Sequence, residues 1–182
     1  MKKAICVFCG ARDGLNPAYI SQAKQFGAAL AKNNITLVYG GASIGVMGAV
    51  AQGCLDGGGE VIGVIPQAII DLEVAATNLT QIHIVNNMHE RKQKMHDLSD
   101  GFVCLPGGIG TLDEFFETAT WKQLKYHQKP IGFLDTNNYY SNLFQTLRFM
   151  QKEGFVFEAD INSLHLTSSV NELINKMTDS II

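Results

Sequence analysis

Residues 106–114 read PGGIGTLDE, a segment that combines bare backbone with two carboxylates. It follows the apolar run at 102–105 and leads into an apolar-periodic stretch, so its backbone N–H groups are expected at a helix N-terminus. Glycine-rich turns in this position bind phosphate. The pattern G-x-x-x-x-G-K-[ST] is absent, so this is not an ATPase loop, and the segment contains no Lys or Arg. A cation for the bound anion must come from elsewhere in the chain.

The segment at 88–98, MHERKQKMHDL, supplies that cation. Met88, Arg91, Met95 and Leu98 are spaced by three, four and three positions, which places them on one helix face that we expect to be buried. A guanidinium on such a face requires a partner, and it matches phosphate or carboxylate. Pairing with a structural carboxylate and snorkelling to the surface are the alternatives. Lys92 lies next to Arg91 and can reach the same anion.

Glu114 has two interpretations. Thr111-Leu112-Asp113-Glu114 fits a capping box, with Thr111 as the N-cap and Glu114 at N3. The same carboxylate at the mouth of a phosphate site also suits a sugar phosphate as substrate. The loop would hold the 5′-phosphate, while the acid faces the anomeric carbon and stabilises an oxocarbenium-like transition state or orients water.

An earlier segment, GGASIGVMG at 40–48, also admits more than one interpretation. It can be a nucleotide loop, with backbone N–H groups at a helix start. It also contains G-x-S-x-G around Ser43, the nucleophile elbow of α/β-hydrolases, and Asp135 and His165 follow in the order of a catalytic triad. No HGGG-type oxyanion segment accompanies it. A glycine-rich turn chosen only for tight packing is the third possibility.

Composition narrows the class of protein. The 182 residues are expected to form one domain, 1–182, and the net charge of −3 argues against a nucleic-acid partner. No stretch is long enough to span a membrane. Cys6 and Cys9 form a lone C-x-x-C whose members should face opposite sides of a strand, so we expect reduced thiols and a cytoplasmic protein. His89 and His96, seven positions apart, are expected on a solvated face and are poorly spaced for a metal.

Short apolar runs alternate with amphipathic stretches along the chain. The runs predict strands at 4–9, 35–39, 61–65, 81–85, 102–105 and 131–134. The amphipathic stretches predict helices at 17–33, 44–55, 88–99, 112–124, 140–152 and 170–177. This order predicts an α/β fold, a single Rossmann-like doubly wound domain with a mainly parallel sheet and helices on both faces. The glycine turns at 10, 40–41 and 107–110 then share the carboxyl edge of the sheet.

These motifs resemble those of the Lonely Guy family, the cytokinin riboside 5′-monophosphate phosphoribohydrolases, a family also labelled possible lysine decarboxylase. PGGxGTxxE corresponds to 106–114, MHxRK to 88–92, and GGxxxGxMG to 40–48, in order over nearly the whole chain. The resemblance implies a homodimer with active sites near the subunit interface. It implies an enzyme that hydrolyses the N-glycosidic bond of a nucleoside monophosphate such as AMP or an N6-modified AMP, without metal or cofactor. The products are a free base and ribose 5-phosphate.

The resemblance also implies the site residues. Arg91 and Glu114 are the catalytic pair. Contacts to the phosphate and the rest of the substrate come from Gly40, Gly41, Ser43, Gly45, Glu73, Met88, Lys92, Gly107, Gly108, Gly110 and Thr111. Family members often carry His where this chain has Ala76.

Two other functions remain open from the residues. A nucleotide-binding module without catalysis would need the same glycine loops. A lysine decarboxylase would require pyridoxal phosphate bound to a lysine, and no lysine in the sequence is specially placed.

Overall fold

In a computed structural model, residues 2–70, 76 and 78–181 are described. Seven strands form one sheet. They are β1 (Ala4–Phe8), β2 (Thr36–Tyr39), β3 (Val61–Pro66), β4 (Gln81–Val85), β5 (Gly101–Cys104), β6 (Ile131–Leu134) and β7 (Leu164–Thr167). The helices are α1 (Ala18–Lys32), α2 (Gly45–Asp56), α3 (Met88–Asp97), α4 (Ile109–Gln123), α5 (Ser141–Lys152), α6 (Glu158–Asn162) and α7 (Val170–Ser180). Short 3₁₀ turns at Gln67–Ile69 and Thr136–Asn138 follow β3 and β6.

The strand order is β4-β3-β2-β1-β5-β6-β7, and every pairing is parallel. The chain builds outward from β1 to β4, then returns to the other side of β1 with β5. The loops after β1 and β5 therefore diverge at the topological switch point, where open α/β sheets bind ligands. The predicted α/β class and parallel sheet are confirmed.

Two apolar layers cover the faces of the sheet. Ile5, Val7 and Cys9 pack with α1, α2 and α7 on one face, while Cys6 and Phe8 pack with α3, α4 and α5 on the other. The strands are buried on both faces because helices cover both, which explains their continuous apolar sequences. The two cysteines of the C-x-x-C pair thus lie on opposite faces, as predicted, and are free thiols.

Two sequence-based expectations, the capping box and the solvated position of His96, are wrong, and two short elements were not predicted. Helix α4 begins at Ile109 with Gly108 as N-cap, so Thr111 is three positions inside the helix and the capping box does not exist. Strand β7 and helix α6 were not predicted, because a four-residue strand and a five-residue helix are too short to produce a clear period. His96 is not on a solvated face, since its ring stacks on Phe102.

Within the described ranges, no helix is both long and apolar enough to cross a bilayer.

Candidate active site

A cleft of about 660 Å³ opens at the carboxyl edge of the sheet, over the switch point between β1 and β5. Its walls are the β1–α1 turn, the loop after β2, the start of α3, the β5–α4 loop and the loop after β6. The predicted site residues that line it are Gly40, Met88, Arg91, Gly107, Gly108, Gly110, Thr111 and Glu114. Residues of the segments 88–98 and 106–114 therefore meet in one cleft, as the prediction of a shared sheet edge requires.

Three hydrogen bonds fix the glycine loop between β5 and α4. The buried Tyr140 hydroxyl donates to the Leu105 carbonyl at 2.6 Å, and the Gly10 N–H donates to the Pro106 carbonyl at 3.1 Å. The Tyr139 hydroxyl donates to the Gly107 carbonyl at 2.6 Å. Three consecutive carbonyls are thus occupied by protein donors. This arrangement leaves the N–H groups at the start of α4 as the polar groups that can meet a ligand.

The start of α4 is built for an anion. Its first N–H groups have no acceptor within the helix, and the positive end of the helix dipole lies at the same point. Thr111 is buried inside the first turn, and a Cβ on Gly107 would overlap its Oγ1 atom. Gly107 is therefore required by the close approach of the Thr111 hydroxyl to the loop backbone.

Arg91 is fixed from helix α3. Asn87 caps this helix by accepting a hydrogen bond from the Glu90 N–H at 3.0 Å, and Glu90 accepts from the Asn86 N–H at 2.9 Å. Arg91 is only 4% exposed, and its Nη2 donates to the Gly40 carbonyl at 3.1 Å. A Cβ on Gly40 would overlap that Nη2 atom, so glycine is needed there for the guanidinium to fit. The predicted burial of Arg91 is confirmed.

Glu114 lies one turn beyond Thr111 on α4 and reaches the same cleft. Burial raises the pKa of the Cys9 thiol, the negative charge of Glu114 raises it further, and the positive charge of Arg91 lowers it. The charges of both side chains therefore act on the same buried thiol, from two different helices. Cys9 stays protonated under these influences, so the thiol is not the reacting group.

Met88 and Lys92 differ from their expected places. Met88 lines the cleft but is 42% exposed, and its sulfur lies 3.8 Å from Arg91 Nη1. The expectation of a fully buried face on α3 is wrong at this first turn. Lys92 lies outside the cleft and joins α3 to α4 through Asp113 at 2.8 Å and Glu117 at 3.5 Å. Its contact with phosphate stays a prediction.

The other predicted site residues of the β2–α2 loop, Gly41, Ser43 and Gly45, do not line the cleft themselves. Gly41, with φ +85°, accepts a hydrogen bond from the Ala76 N–H, and Gly45, with φ +65°, starts α2. Ser43 is exposed and does not line the cleft. Glu73 lies outside the described residues.

The catalytic triad suggested by Ser43 is wrong. Strand β7, which carries His165, lies four strands from β2, or about 19 Å at the ~4.8 Å spacing of neighbouring strands. Asp135 instead accepts a hydrogen bond from the Tyr140 N–H at 2.8 Å and supports the turn after β6. His165 lies 3.2 Å from the Ser180 hydroxyl.

Sequence reasoning missed Arg12, Tyr19 and Tyr139, which also line the cleft. Arg12 lies in the loop after β1, two residues beyond Gly10, and Tyr139 follows the 3₁₀ turn after β6, so both come after strands of the parallel sheet. The rule that the loops after parallel strands share one edge would have found them.

Comparison with known proteins agrees with this geometry. Residues 47–177 match the family described as possible lysine decarboxylase. The chain is 41% identical over 177 residues to a cytokinin riboside 5′-monophosphate phosphoribohydrolase of Arabidopsis thaliana, covering 97% of this chain and 83% of that protein. It is 44% identical over 158 residues to the enzyme of that name from Rhodococcoides fascians, covering 86% of this chain and 80% of that protein.

Among solved structures, the molybdenum cofactor binding protein from Rippkaea orientalis superposes with a TM-score of 0.76 at 22% identity, covering 100% of this chain and 99% of that one. This likeness shows the fold alone. The sequence relatives, the family match and the motif residues gathered at one cleft show that the chain belongs to the family of cytokinin riboside 5′-monophosphate phosphoribohydrolases, whose family description is possible lysine decarboxylase.

Proposed function

We propose that the protein hydrolyses the N-glycosidic bond of adenosine 5′-monophosphates, including N6-modified ones, and releases a free base and ribose 5-phosphate. The observation that carries this proposal is the meeting of Arg91 and Glu114 in a cleft that also contains the N-terminus of α4. The names of the relatives support the same reaction.

The glycine loop and the first turn of α4 bind the 5′-phosphate. Backbone N–H groups in a fixed loop can donate hydrogen bonds to the phosphate oxygens without any reorganisation, because Tyr139, Tyr140 and Gly10 already donate to the loop carbonyls. The phosphate therefore anchors the ribose, and the rest of the nucleotide extends along the cleft toward Arg91 and Glu114.

Glu114 stabilises positive charge that develops at C1′ as the bond to the base nitrogen breaks. The water oxygen then forms the new bond to C1′, one water proton is lost from the adding oxygen, and the departing base gains a proton. A carboxylate in a partly buried site stabilises an oxocarbenium-like transition state more strongly than it would in bulk water. Arg91, fixed by Gly40, brings a positive charge into the same cleft and offsets the negative charge of Glu114.

Release of free base tests the proposal directly. Purified protein is incubated with AMP, an N6-modified AMP and adenosine, and free base is measured by chromatography. We expect base from the two monophosphates and much slower release from adenosine, because adenosine lacks the group that the α4 N-terminus binds. A protein that binds AMP but releases no base would be the nucleotide-binding module instead.

Decarboxylase chemistry is not favoured by the cleft. None of the described residues that line it is a lysine, so no described side chain there can form the Schiff base that pyridoxal phosphate requires.

We also propose that two copies assemble as a homodimer. Helix α4, which carries Glu114, exposes large apolar side chains, with Ile109 89% and Phe116 40% accessible. Exposed apolar groups on one helix are typical of a surface that another chain covers. Light scattering should give about twice the 19.9 kDa chain mass. Phe116→Glu should shift the mass toward one chain, whereas a monomeric parent protein would contradict the proposal.

A further inference from the structure

Two arginines line the cleft, and they lie at different places in it. Arg91 is bound to Gly40 after β2, and its charge affects the pKa of Cys9. Arg12 belongs to the β1–α1 turn and is not among the charges that shift the pKa of Cys9. The charged residues that line the cleft are Arg12, Asp13, Arg91, Asp113 and Glu114.

The turn that carries Arg12 is packed directly against the glycine loop. A Cβ on Gly10 would lie 3.3 Å from both the Arg12 carbonyl oxygen and the Gly107 Cα atom. The Gly10 N–H donates to the Pro106 carbonyl, and the Gly10 carbonyl accepts from the Met47 N–H, each at 3.1 Å. The turn is therefore held between the glycine loop, through Gly10, and the start of α2, where a Cβ on Gly45 would overlap the Arg12 backbone nitrogen.

The same side of the cleft is walled by two tyrosines. Tyr139, bonded to the Gly107 carbonyl, meets Tyr19 edge-to-face with ring centroids 5.5 Å apart. Both rings line the cleft together with Arg12. The β1–α1 turn, the glycine loop and the two tyrosines thus form one corner of the cleft, and Arg12 belongs to the turn of that corner, whereas Arg91 reaches the cleft from α3.

The ion pairs and charge interactions of the neighbouring residues leave the charge of Arg12 available to a ligand in this corner. Lys92 is held by Asp113 and Glu117 outside the cleft. The charges of Arg91 and Glu114 both act on the pKa of Cys9. None of the ion pairs between described residues involves Arg12, and its guanidinium is exposed.

We propose that Arg12 is the cation that binds the 5′-phosphate, so that it selects monophosphates over uncharged nucleosides while Arg91 works at the ribose. This inference rests on the proposed function, because it assigns the phosphate end of that site. A guanidinium can bind two phosphate oxygens at once, complementing the backbone N–H groups of α4.

Binding of AMP to Arg12→Gln tests the assignment without requiring turnover. Affinity is measured by calorimetry at low and high salt for the parent protein, Arg12→Gln and Arg148→Gln. Arg148 is an exposed arginine on α5 that does not line the cleft, so it is a matched control for loss of one positive charge. Melting temperatures confirm that each variant is folded.

We expect Arg12→Gln to bind AMP about tenfold more weakly at low salt, because a charge-assisted hydrogen bond to phosphate is lost. Its affinity should also fall less steeply with added salt than that of the parent. Unchanged affinity, an unchanged salt dependence, or an equal loss in Arg148→Gln would overturn the assignment.

The outcome is separable from that of the proposed reaction. If the parent protein binds AMP but releases no adenine, the proposed hydrolysis fails while the Arg12 test still gives its answer. If the parent releases adenine and Arg12→Gln binds AMP normally, the hydrolysis stands and the Arg12 assignment fails.

Discussion

Glu114 and Arg91 influence the same buried thiol from two helices, so each carries its charge into a site partly removed from water. A carboxylate and a guanidinium in this setting interact more strongly than on the surface. Arg91 also donates to a backbone carbonyl, which leaves part of its guanidinium fixed in direction. At the scale of residues, Arg91 therefore brings to the site a charge with little freedom to reorient.

Glu114→Gln should lower the rate of base release from AMP by roughly two orders of magnitude, because an amide cannot stabilise a developing cation as a carboxylate does. Affinity for AMP should persist, since a negative charge near the phosphate is removed. Glu153→Gln is the control, because it makes the same change at an exposed residue at the end of α5 that does not line the cleft. Equal rates for Glu114→Gln and the parent would remove Glu114 from the mechanism.

Tyr139→Phe tests the support of the glycine loop. The variant keeps the ring against Tyr19 and Tyr140 but removes the hydroxyl that donates to the Gly107 carbonyl at 2.6 Å. We expect AMP to bind several-fold more weakly, consistent with the net value of about 1 kcal/mol for one hydrogen bond. Titration of AMP measures the change, with Tyr126→Phe, an exposed tyrosine away from the cleft, as control. Parent-like binding would mean that the loop holds its shape without this bond.

At the scale of elements, the site depends on how α3 meets the loop after β2. The Asn87 cap sets where α3 begins, and the first turn then directs Arg91 at Gly40. Lys92, on the neighbouring side of the same turn, ties α3 to α4 through Asp113 and Glu117. The register of one helix thus places the proposed catalytic charge of Arg91 and an inter-helix ion pair together.

Gly40→Ala should disturb this meeting point. The added Cβ would overlap Arg91 Nη2, so the guanidinium must move or the loop must shift. We expect base release to fall at least tenfold, because a displacement near 1 Å is enough to impair a positioned group. Gly58→Ala, at an open turn with φ +74°, is a control for glycine replacement outside the site. A Gly40→Ala enzyme with parent activity would show that Arg91 does not need this position.

Prediction from sequence succeeded where apolar spacing indicates burial and where the order of strands indicates which loops lie together. The apolar spacing around Arg91 predicted a buried guanidinium, and the glycine turns after strands predicted a shared edge. It failed at the capping box of Thr111 and Glu114, because a Thr-x-x-Glu pattern gives no indication that the helix already began two residues before the threonine. It missed Arg12 because an exposed arginine in a loop has no periodicity to mark it.

At the scale of the whole molecule, the strand order alone determines where the cleft lies. Strands β1 and β5 are adjacent but send their loops to opposite faces, and the Gly10–Pro106 hydrogen bond joins the two loops at the bottom of the cleft.

A second set of contacts, around His96, joins α3 and α4 to strand β5. His96 from α3 stacks on Phe102 of β5 at 5.2 Å, and it meets Trp121 of α4 at 5.1 Å and His127 at 4.8 Å.

Both histidines of this cluster have a lowered pKa. Burial lowers the pKa of His96 to about 4, with further lowering by Lys129 and His127, while Asp97 opposes the shift. Burial likewise lowers the pKa of His127, with added lowering by Lys129 and Lys122, against a hydrogen bond to the Thr118 carbonyl that raises it. His127 Nδ1 accepts a hydrogen bond from the Lys129 N–H, which protonation of that nitrogen would abolish.

The cluster predicts loss of stability in mild acid. Because the folded pKa of His96 lies below its ordinary value of 6.5, the unfolded chain gains the proton first, so stability is complete above about pH 6.5 and falls toward pH 4. The full shift corresponds to about 3 kcal/mol, which partial exposure of the ring reduces to about 1–2 kcal/mol. Melting temperature should therefore fall between about pH 7.5 and about pH 5.

His96→Gln should shrink that fall in melting temperature, because the side chain that takes up the proton on unfolding is gone, although packing against Phe102 and Trp121 is weakened at every pH. His89→Gln is the matched control, since His89 is an exposed histidine on the same helix. Its melting temperatures should keep the pH dependence of the parent. If His96→Gln keeps that dependence as well, other groups cause the acid sensitivity. Protonation of His96 would then not be what weakens the contacts between α3, α4 and β5.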